Sequence, residues 1–230
     1  MNINGRYRNE LKYSIDYADY LVIRQRLRPI MKTDAHINTD GRYTVRSIYF
    51  DNIRDKALRE KVDGTAKREK FRIRYYNDDF SYIVLEKKIK HNDLCLKLNT
   101  PITETECQML LDGKLDWMLS HRSSLVQELY VKMKGSQLRP RLLVSYTREP
   151  YIFAPGNVRI TFDSNIRTTL WHGEFLETQV RDISVADTPW QMILEVKYDD
   201  FLPEIIQDMI QTDRVRRQAF SKYCACRRFG

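Results

Sequence analysis

The chain has 230 residues, of which 42% are hydrophobic and 30% charged, and its net charge is +8. The hydrophobic share is sufficient for a buried core and argues against a disordered chain. No apolar run approaches the ~20 residues that span a bilayer. The positive charge indicates an anionic partner, which is a nucleic acid, a phosphorylated small molecule or an anionic membrane surface.

The cysteines and histidines show neither a metal-binding nor a nucleophile motif. The cysteines contain one Cys-x-Cys and no paired Cys-x-x-Cys, so reduced thiols are expected in place of a zinc site. The histidines have no His-Glu-x-x-His spacing, and no glycine pattern of a nucleophile elbow is present. The start of the sequence lacks the apolar core of a secretory signal. These features predict a cytoplasmic protein.

The first predicted strand covers residues 7–13 and has two unlike faces. Side chains of a strand point alternately to opposite sides, so Arg8, Glu10 and Lys12 share one face and apolar residues share the other. A helix capped by Ser14 or Asp16 follows and ends near residue 29. The first segment therefore already combines an apolar face with a charged face.

A polar loop over residues 33–41 leads to a predicted strand that ends at Asp51, followed by a short helix over residues 55–62. The next strand, residues 70–76, is the most basic. Lys70, Arg72 and Arg74 share one face, and the residues between them form an apolar face. The simplest interpretation is a surface strand with its cations in water, because like charges side by side repel.

The same alternation continues after a hairpin loop at residues 77–79. In the strand over residues 82–89, Glu86 and Lys88 share a face, and the run over residues 93–98 places Lys97 opposite its leucines. A capping box at Thr103 then opens a helix that ends near residue 113. A second helix covers residues 123–133. Both helices are amphipathic and are expected to cover the apolar side of a sheet.

The second half of the chain returns to strands, predicted over residues 141–151, 157–164 and 190–198. Their charged or polar faces contain Tyr146, Arg148, Arg159, Asp163, Glu195 and Lys197. Pro203 marks the start of another helix, and residues 218–223 are either helical or a short crossing segment. No linker or internal repeat interrupts the chain, so a single domain over residues 1–230 is expected.

Roughly eight strands with one apolar and one cationic face fit a closed or nearly closed antiparallel barrel. The helices need an apolar surface to pack on, so the apolar faces are expected outside and the charged faces inside. Burying several unpaired cations is costly unless a polyanion fills the interior, where charge-assisted hydrogen bonds to phosphate are strong. The predicted fold is therefore α+β, an antiparallel eight-stranded β-barrel tunnel with helices packed on the outside.

The carboxylates on the cationic faces need a separate explanation, because a phosphate site gains nothing from a negative side chain. Glu86 and Asp163 either neutralise neighbouring cations or have a functional role, and the sequence leaves both open. For Glu195, with Glu10 as a second ligand, the functional interpretation is a hard divalent cation. Mg²⁺ and Mn²⁺ suit a site of carboxylate, water and substrate phosphate.

The motifs in order along the chain resemble a known family. They are Arg8-x-Glu10-x-Lys12, Tyr49-Phe50-Asp51, Arg72-x-Arg74, Glu86-x-Lys88, Lys97, Tyr146-x-Arg148, Arg159 to Asp163, Glu195-x-Lys197 and Ser221-Lys222-Tyr223. This ordered set resembles the VTC domain, which is the polyphosphate polymerase branch of the triphosphate tunnel metalloenzymes. The resemblance covers nearly the whole chain.

The resemblance implies a tunnel, a divalent cation, and transfer of the ATP γ-phosphate to a growing polyphosphate chain with release of ADP. It implies Glu195 and Glu10 as metal ligands, Lys222 near the transferred phosphate, and Arg72 and Arg74 in catalysis. The implied phosphate-binding set is Lys12, Arg72, Arg74, Lys88, Lys97, Tyr146, Arg148, Arg159, Lys197 and Lys222. The alternative for Lys222 is a surface lysine. The wider superfamily opens with Glu-x-Glu-x-Lys, and Arg8 in the first position argues against a second metal.

Two other functions stay open at this stage. With water as acceptor, the same fold is a triphosphatase for tripolyphosphate, a nucleotide or thiamine triphosphate. Without catalysis, it is a binding protein for RNA or polyphosphate. RNA is disfavoured because the basic faces lack the paired aromatics of an RRM and no KH or zinc-finger motif is present. The expected partners are therefore ATP and inorganic polyphosphate, with Mn²⁺ or Mg²⁺ as cofactor.

Overall fold

The computed structural model describes residues 7–34, 37–92, 94–170, 172–185 and 191–229. Over these residues the strands belong to one antiparallel sheet. The strands are β1 Asn9–Ile15, β2 Lys32–Thr33, β3 Tyr43–Asp51, β4 Lys67–Tyr76, β5 Asp79–His91, β6 Leu94–Ile102, β7 Arg139–Phe153, β8 Val158–Thr169, β9 Ile183–Ser184, β10 Met192–Tyr198 and β11 Arg216–Arg217. Asp93 and Trp190, which begin two predicted strands, and part of the predicted loop 33–41 lie outside the described residues.

The helices are α1 Tyr17–Leu27, α2 Lys56–Val62, α3 Glu104–Leu111, α4 Ser124–Gly135, α5 Glu204–Ile210 and α6 Lys222–Cys226. Asp16 caps α1 by accepting a hydrogen bond from the backbone N–H of Asp19 at 2.8 Å, so Asp16 and not Ser14 is the cap. The predicted capping box of α3 is present between Thr103 and Glu106. Among the described residues, no helix combines the length and the apolar character that crossing a bilayer requires.

The strand order is β11-β1-β10-β8-β7-β3-β4-β5-β6, with β2 beside β7 and β9 beside β8. The predicted mixed α+β class and antiparallel pairing are confirmed. The predicted eight-stranded barrel is not confirmed, because the described sheet has eleven strands and no continuous ladder joins its ends. β1 and β6 meet only at an isolated bridge between Arg8 and Cys95. β2, β9 and β11 have two residues each, too short for an alternating pattern to be visible in the sequence.

The sheet packs its apolar face against helices, as the alternation in β4 predicted. Phe71, Ile73 and Tyr75 of β4 are buried in a cluster that includes residues of α3 and α4. A second cluster joins α1 and α5 to the apolar faces of β8 and β10. Removing this area from water stabilises the fold by about 25 cal/mol per Å². The charged faces of the same strands therefore point the opposite way.

The opposite face is not cationic throughout, which corrects the expectation of a fully charged interior. Val45 of β3 and Val144 of β7 lie on this face and are buried in a third cluster. Tyr223 and Cys226 of α6 belong to the same cluster, so α6 packs on the charged side of the sheet. The predicted crossing segment over residues 218–223 thus turns into a helix that covers part of this face.

Candidate polyanion-binding cavity

The charged faces of the strands surround one cavity of about 460 Å³. Each of the eight strands with seven or more residues contributes side chains to its wall, together with the segment from Arg217 to Tyr223 and Lys61 of α2. Fifteen lysine and arginine side chains and three glutamates line the cavity. This excess of positive charge in a recess attracts anions, because low-dielectric walls concentrate the field.

All of the residues predicted to bind phosphate or metal lie in the wall of this cavity. They are Glu10, Lys12, Arg72, Arg74, Lys88, Lys97, Tyr146, Arg148, Arg159, Glu195, Lys197 and Lys222. The interpretation of β4 as a surface strand with its cations in bulk water is therefore wrong. The position of a residue does not test its role in binding or catalysis, so the individual roles stay predictions.

Glu86 of β5 is a centre for three of the cations. Its Oε2 accepts a hydrogen bond from Arg72 Nε at 2.8 Å, and its Oε1 forms ion pairs with Arg74 Nη2 at 2.6 Å and with Lys97. Burial alone raises the pKa of the Glu86 carboxyl, but Arg72, Arg74 and Lys97 outweigh it and hold the pKa well below its usual range. Of the two interpretations of Glu86, neutralisation of neighbouring cations is confirmed.

Lys97 is the cavity lysine whose charge depends most on its surroundings. Burial and the repulsion from Arg74 lower its pKa to about 7, although Glu86 acts in the opposite direction. The side chain is 43% exposed, so water in the cavity screens part of this repulsion. Its surroundings therefore disfavour the charged form of Lys97, whereas an anion in the cavity favours it.

Asp163 of β8 is a second buried centre. Arg148 donates two hydrogen bonds to its carboxylate, from Nε at 2.6 Å and from Nη2 at 2.7 Å, and Lys222 Nζ lies 2.5 Å from Oδ2. The carboxylate is fully buried, yet Arg148 and Lys222 lower its pKa. Lys222 Nζ also lies 4.5 Å from the ring centroid of Tyr146, a cation–π distance. Lys222 is therefore buried, and the alternative of a surface lysine is wrong.

The two predicted metal ligands lie close together on β1 and β10. Lys12 lies directly opposite Glu195 in the register of these strands, and its Nζ is 3.2 Å from Glu10 and 3.3 Å from Glu195. Glu10 also pairs with Lys88 at 2.7 Å, and Glu195 pairs with Lys197 at 2.5 Å. Burial raises the pKa of both carboxyls, and Glu195 raises that of Glu10 further, but the neighbouring lysines, with Arg148 beside Glu195, keep both pKa values well below normal. Both glutamates are therefore ionised.

The carboxylate pair fits a single hard cation. No group of three or more histidine, cysteine or acidic side chains suited to a metal occurs among the described residues. Mg²⁺ typically takes one or two carboxylates and completes its shell with water and substrate phosphate. Glu10 and Glu195 supply that number. Arg8, in place of a third carboxylate, points its Nε at Asp199 at 2.8 Å.

Several cavity residues were missing from the predicted site. Arg68, Lys70 and Lys90 continue the alternation of β4 and β5, and extending the same period beyond Arg72 and Lys88 would have included them. Lys61 and Arg217 come from α2 and β11 and have no signal in the sequence. The missing cations lengthen the basic wall.

Tyr49 of β3 belongs to one of the motifs along the chain but not to the predicted site. Its hydroxyl accepts a hydrogen bond from Arg72 Nη1 at 3.1 Å. Burial raises the pKa of the phenol, but Arg72, Lys222 and Lys70 outweigh it, so the pKa lies below its ordinary value. Tyr49 therefore holds the side of the Arg72 guanidinium that does not contact Glu86. The lowered pKa of its phenol reflects the strong positive field inside the cavity.

Comparison with known proteins places this geometry in a family. The model of the VTC domain family matches residues 7–229. Among solved structures, the candidate adenylyl cyclase HpAC1 from Hippeastrum, for which a dominant triphosphatase activity is described, has a TM-score of 0.58 and 12% identity, covering 96% of each chain. A candidate adenylate cyclase from Vibrio parahaemolyticus has a TM-score of 0.50 and 11% identity, covering 96% of this chain and 98% of that one. At these identities the likeness concerns the fold alone. A comparison with curated proteins gave no match.

Proposed function

Because the chain belongs to the VTC domain family, we propose that it is a polyphosphate polymerase that transfers the γ-phosphate of ATP to inorganic polyphosphate and releases ADP. The observation that carries the proposal is the row of cations on the cavity face of β4. Arg68, Lys70, Arg72 and Arg74 follow one another at every second residue, which extends the row over about 20 Å. Such a row is longer than three linked phosphates and suits a chain.

The cavity cations bind and align the two anionic substrates. Arg72, Arg74 and Lys97 come from β4 and β6, Arg148 and Lys222 come from β7 and α6, and all five line the cavity. Guanidinium groups form bidentate, charge-assisted hydrogen bonds to phosphate oxygens. These are roughly twice as strong as hydrogen bonds between neutral groups. When the cavity holds the donor and acceptor phosphates in line, much of their translational and rotational entropy is lost on binding. This loss then no longer adds to the barrier of the transfer step.

A divalent cation is part of the proposal. Glu195 and Glu10 would hold Mg²⁺ or Mn²⁺, and a bound ion supplies charge neutralisation on the phosphate oxygens during transfer. Lys12 and Lys197 pair with these carboxylates and line the same cavity, so they would meet phosphate oxygens beside the ion.

The transfer needs no covalent enzyme intermediate. A terminal oxygen of the acceptor phosphate forms the new P–O bond as the bond from the γ-phosphorus to the β,γ-bridging oxygen breaks, and ADP leaves with that oxygen. Positioning and electrostatic stabilisation carry this kind of reaction. Lys222, held by Asp163 at the cavity wall, is proposed to stabilise the charge on the transferred group.

The second candidate is a triphosphatase of the same fold, which the activity described for the Hippeastrum protein favours. In that case water replaces the acceptor phosphate. A binding protein for polyphosphate without catalysis is the third candidate. All three use the same cavity, so the product and not the cavity distinguishes them.

One assay separates the three candidates. The purified protein is incubated with ATP and Mn²⁺, and in parallel with Mg²⁺, and the products are analysed by gel electrophoresis and ³¹P NMR. Long-chain polyphosphate with ADP supports the polymerase. Orthophosphate as the sole phosphate product refutes it in favour of the triphosphatase, and binding without turnover refutes both enzymes. A cytoplasmic location, where ATP is available, belongs to the same proposal.

A further inference from the structure

Arg72, Arg74 and Lys97 come from two strands that are not neighbours, β4 and β6, and converge on Glu86 of the strand between them. Arg72 Nε and Nη2 lie 2.8 and 2.7 Å from Oε2, whereas Arg74 and Lys97 pair with Oε1. The carboxylate side chain is only 3% exposed. Each of its oxygens is therefore committed to cations of the cavity wall.

The strand register explains why a carboxylate is needed at this position. On the cavity face, Lys88 of β5 lies opposite Lys70 of β4 and Lys97 of β6, so like charges face each other across both ladders. Such pairs are destabilising. Glu86 is the neighbour of Lys88 on the same face and lies opposite Arg72. Its negative charge offsets the repulsion where the cationic groups of Arg72, Arg74 and Lys97 meet.

Glu86 also leaves the cations able to bind a ligand. Arg72 is held on one side by Glu86 and on the other by Tyr49, whose hydroxyl accepts from Nη1 at 3.1 Å. A guanidinium group has five N–H donors, so these contacts fix its plane and still leave donors for phosphate oxygens. The arrangement resembles the way outer partners orient the ligands of a metal site.

We propose that Glu86 is a positioning residue that holds Arg72, Arg74 and Lys97 at the spacing at which they grip a chain of linked phosphates. The proposal rests on the proposed function, in that it assigns these cations to phosphate. Glu86 itself touches no reacting atom. Its effect on binding is indirect and passes through the three cations.

A positioning role for Glu86 and the net charge of the cavity predict opposite changes in the affinity for a polyanion. Glu86→Gln makes the cavity more positive by one charge, so electrostatic attraction alone predicts tighter binding of a polyanion. If Glu86 positions the cations, its loss lets them repel one another and binding weakens. Glu86→Asp separates the effects further, because it keeps the charge but is one methylene too short to reach the same partners.

The test is isothermal titration of the full chain with inorganic triphosphate. We expect Glu86→Gln to weaken binding about tenfold, the size typical for partners that orient ligating side chains, and Glu86→Asp to weaken it as well. Glu69→Gln is the matched control, because Glu69 lies on β4 away from the cavity and pairs with Lys87 and Lys132. The control is expected to bind like the wild type.

A pH series adds a readout that loss of stability would not change. Because Glu86 raises the pKa of Lys97, affinity in Glu86→Gln should begin to fall at a lower pH than in the wild type or in Glu69→Gln. If Glu86→Gln fails to fold, Glu86→Asp carries the test.

The outcomes separate this inference from the proposed function. Equal or tighter binding by folded Glu86→Gln, or unchanged binding by Glu86→Asp, overturns the positioning role. A wild type that binds triphosphate but makes no polyphosphate from ATP refutes the polymerase, and the same titration still decides the role of Glu86. A wild type that does not bind triphosphate overturns both.

Discussion

The buried ion cluster of Asp163, Arg148 and Lys222 gives the sharpest prediction on stability. Asp163→Asn replaces the carboxylate by a group of the same shape without charge. Arg148 and Lys222 are each 8% exposed, so both cations then stay in the protein interior without this counter-charge. In Asp163→Asn, the NH₂ group of the amide also takes the position of one carboxylate oxygen. There a hydrogen-bond donor meets the N–H donors of Arg148 or Lys222. The folded state is therefore selectively destabilised.

The expected magnitude follows from the burial of all three groups. Removing one partner of a buried ion pair costs about 3–5 kcal/mol, whereas an exposed pair contributes about 0–1 kcal/mol. For a chain of this size, about 3–5 kcal/mol lowers Tm by roughly 6–20 °C. Glu69→Gln serves as the control, because Glu69 is partly exposed and belongs to a more accessible pair.

The assay is urea unfolding followed by far-ultraviolet circular dichroism, at pH 7 and at lower pH. The pKa of Asp163 is lowered in the folded state, so its charge stabilises the protein above the ordinary aspartate pKa of about 4. This contribution is lost as the pH falls below that value towards the folded-state pKa. The gap between the wild type and Asp163→Asn is therefore full at pH 7 and narrows below about pH 4.

The result that refutes this reasoning is an Asp163→Asn protein as stable as Glu69→Gln at pH 7. It would mean that Arg148 and Lys222 reach water or another counter-charge without rearranging the fold. A stability gap that stays constant into strong acid would equally contradict the ionic origin of the effect. Saturating triphosphate should recover part of the lost stability, because a bound anion replaces the missing charge.

Three further predictions concern binding and turnover. Affinity for triphosphate should fall as the pH rises through about 7, because Lys97 loses its proton there. In binding titrations over a pH series, Lys97→Met should show a weaker dependence of affinity on pH. Glu195→Gln should abolish turnover of ATP while polyphosphate affinity is largely kept, measured by product analysis beside titration. Neutralising Arg72 and Arg74 to Gln should weaken polyphosphate binding and reduce its salt dependence, because fewer counterions are displaced.

Each of these has an outcome that contradicts it. An affinity for triphosphate that is constant from pH 6 to 9 would contradict a Lys97 that both contacts phosphate and loses its proton near neutral pH. Unchanged turnover in Glu195→Gln would remove this residue from the metal site. A double variant of Arg72 and Arg74 with the salt dependence of the wild type would show that neither guanidinium meets phosphate.

The side on which each strand carries its charge was predictable, because alternation has a period of two and needs no knowledge of the fold. This rule placed Arg72, Glu86 and Glu195 on the cavity face of their strands, where the structure has them. Whether the sheet closes into a barrel was not predictable, because closure depends on how β1 and β6 approach each other. In the described residues they meet only at the bridge between Arg8 and Cys95.

The partners of the charged groups depend on register between distant strands. Lys12 lies beside Glu195 because β1 pairs with β10, although 183 positions separate them in the chain. Lys61 reaches the cavity because α2 packs at its edge, and Arg217 because β11 pairs with β1. None of these contacts leaves a local pattern, and each arises only when the sheet is assembled.

The phosphate chain is proposed to lie inside the cavity. The most direct measurement is a crystal structure of the wild type with inorganic triphosphate. We expect the phosphates inside the cavity, in contact with Arg72, Arg74, Arg148 and Lys222 of its wall. Triphosphate bound only on the outer surface, with the cavity empty, would contradict the account.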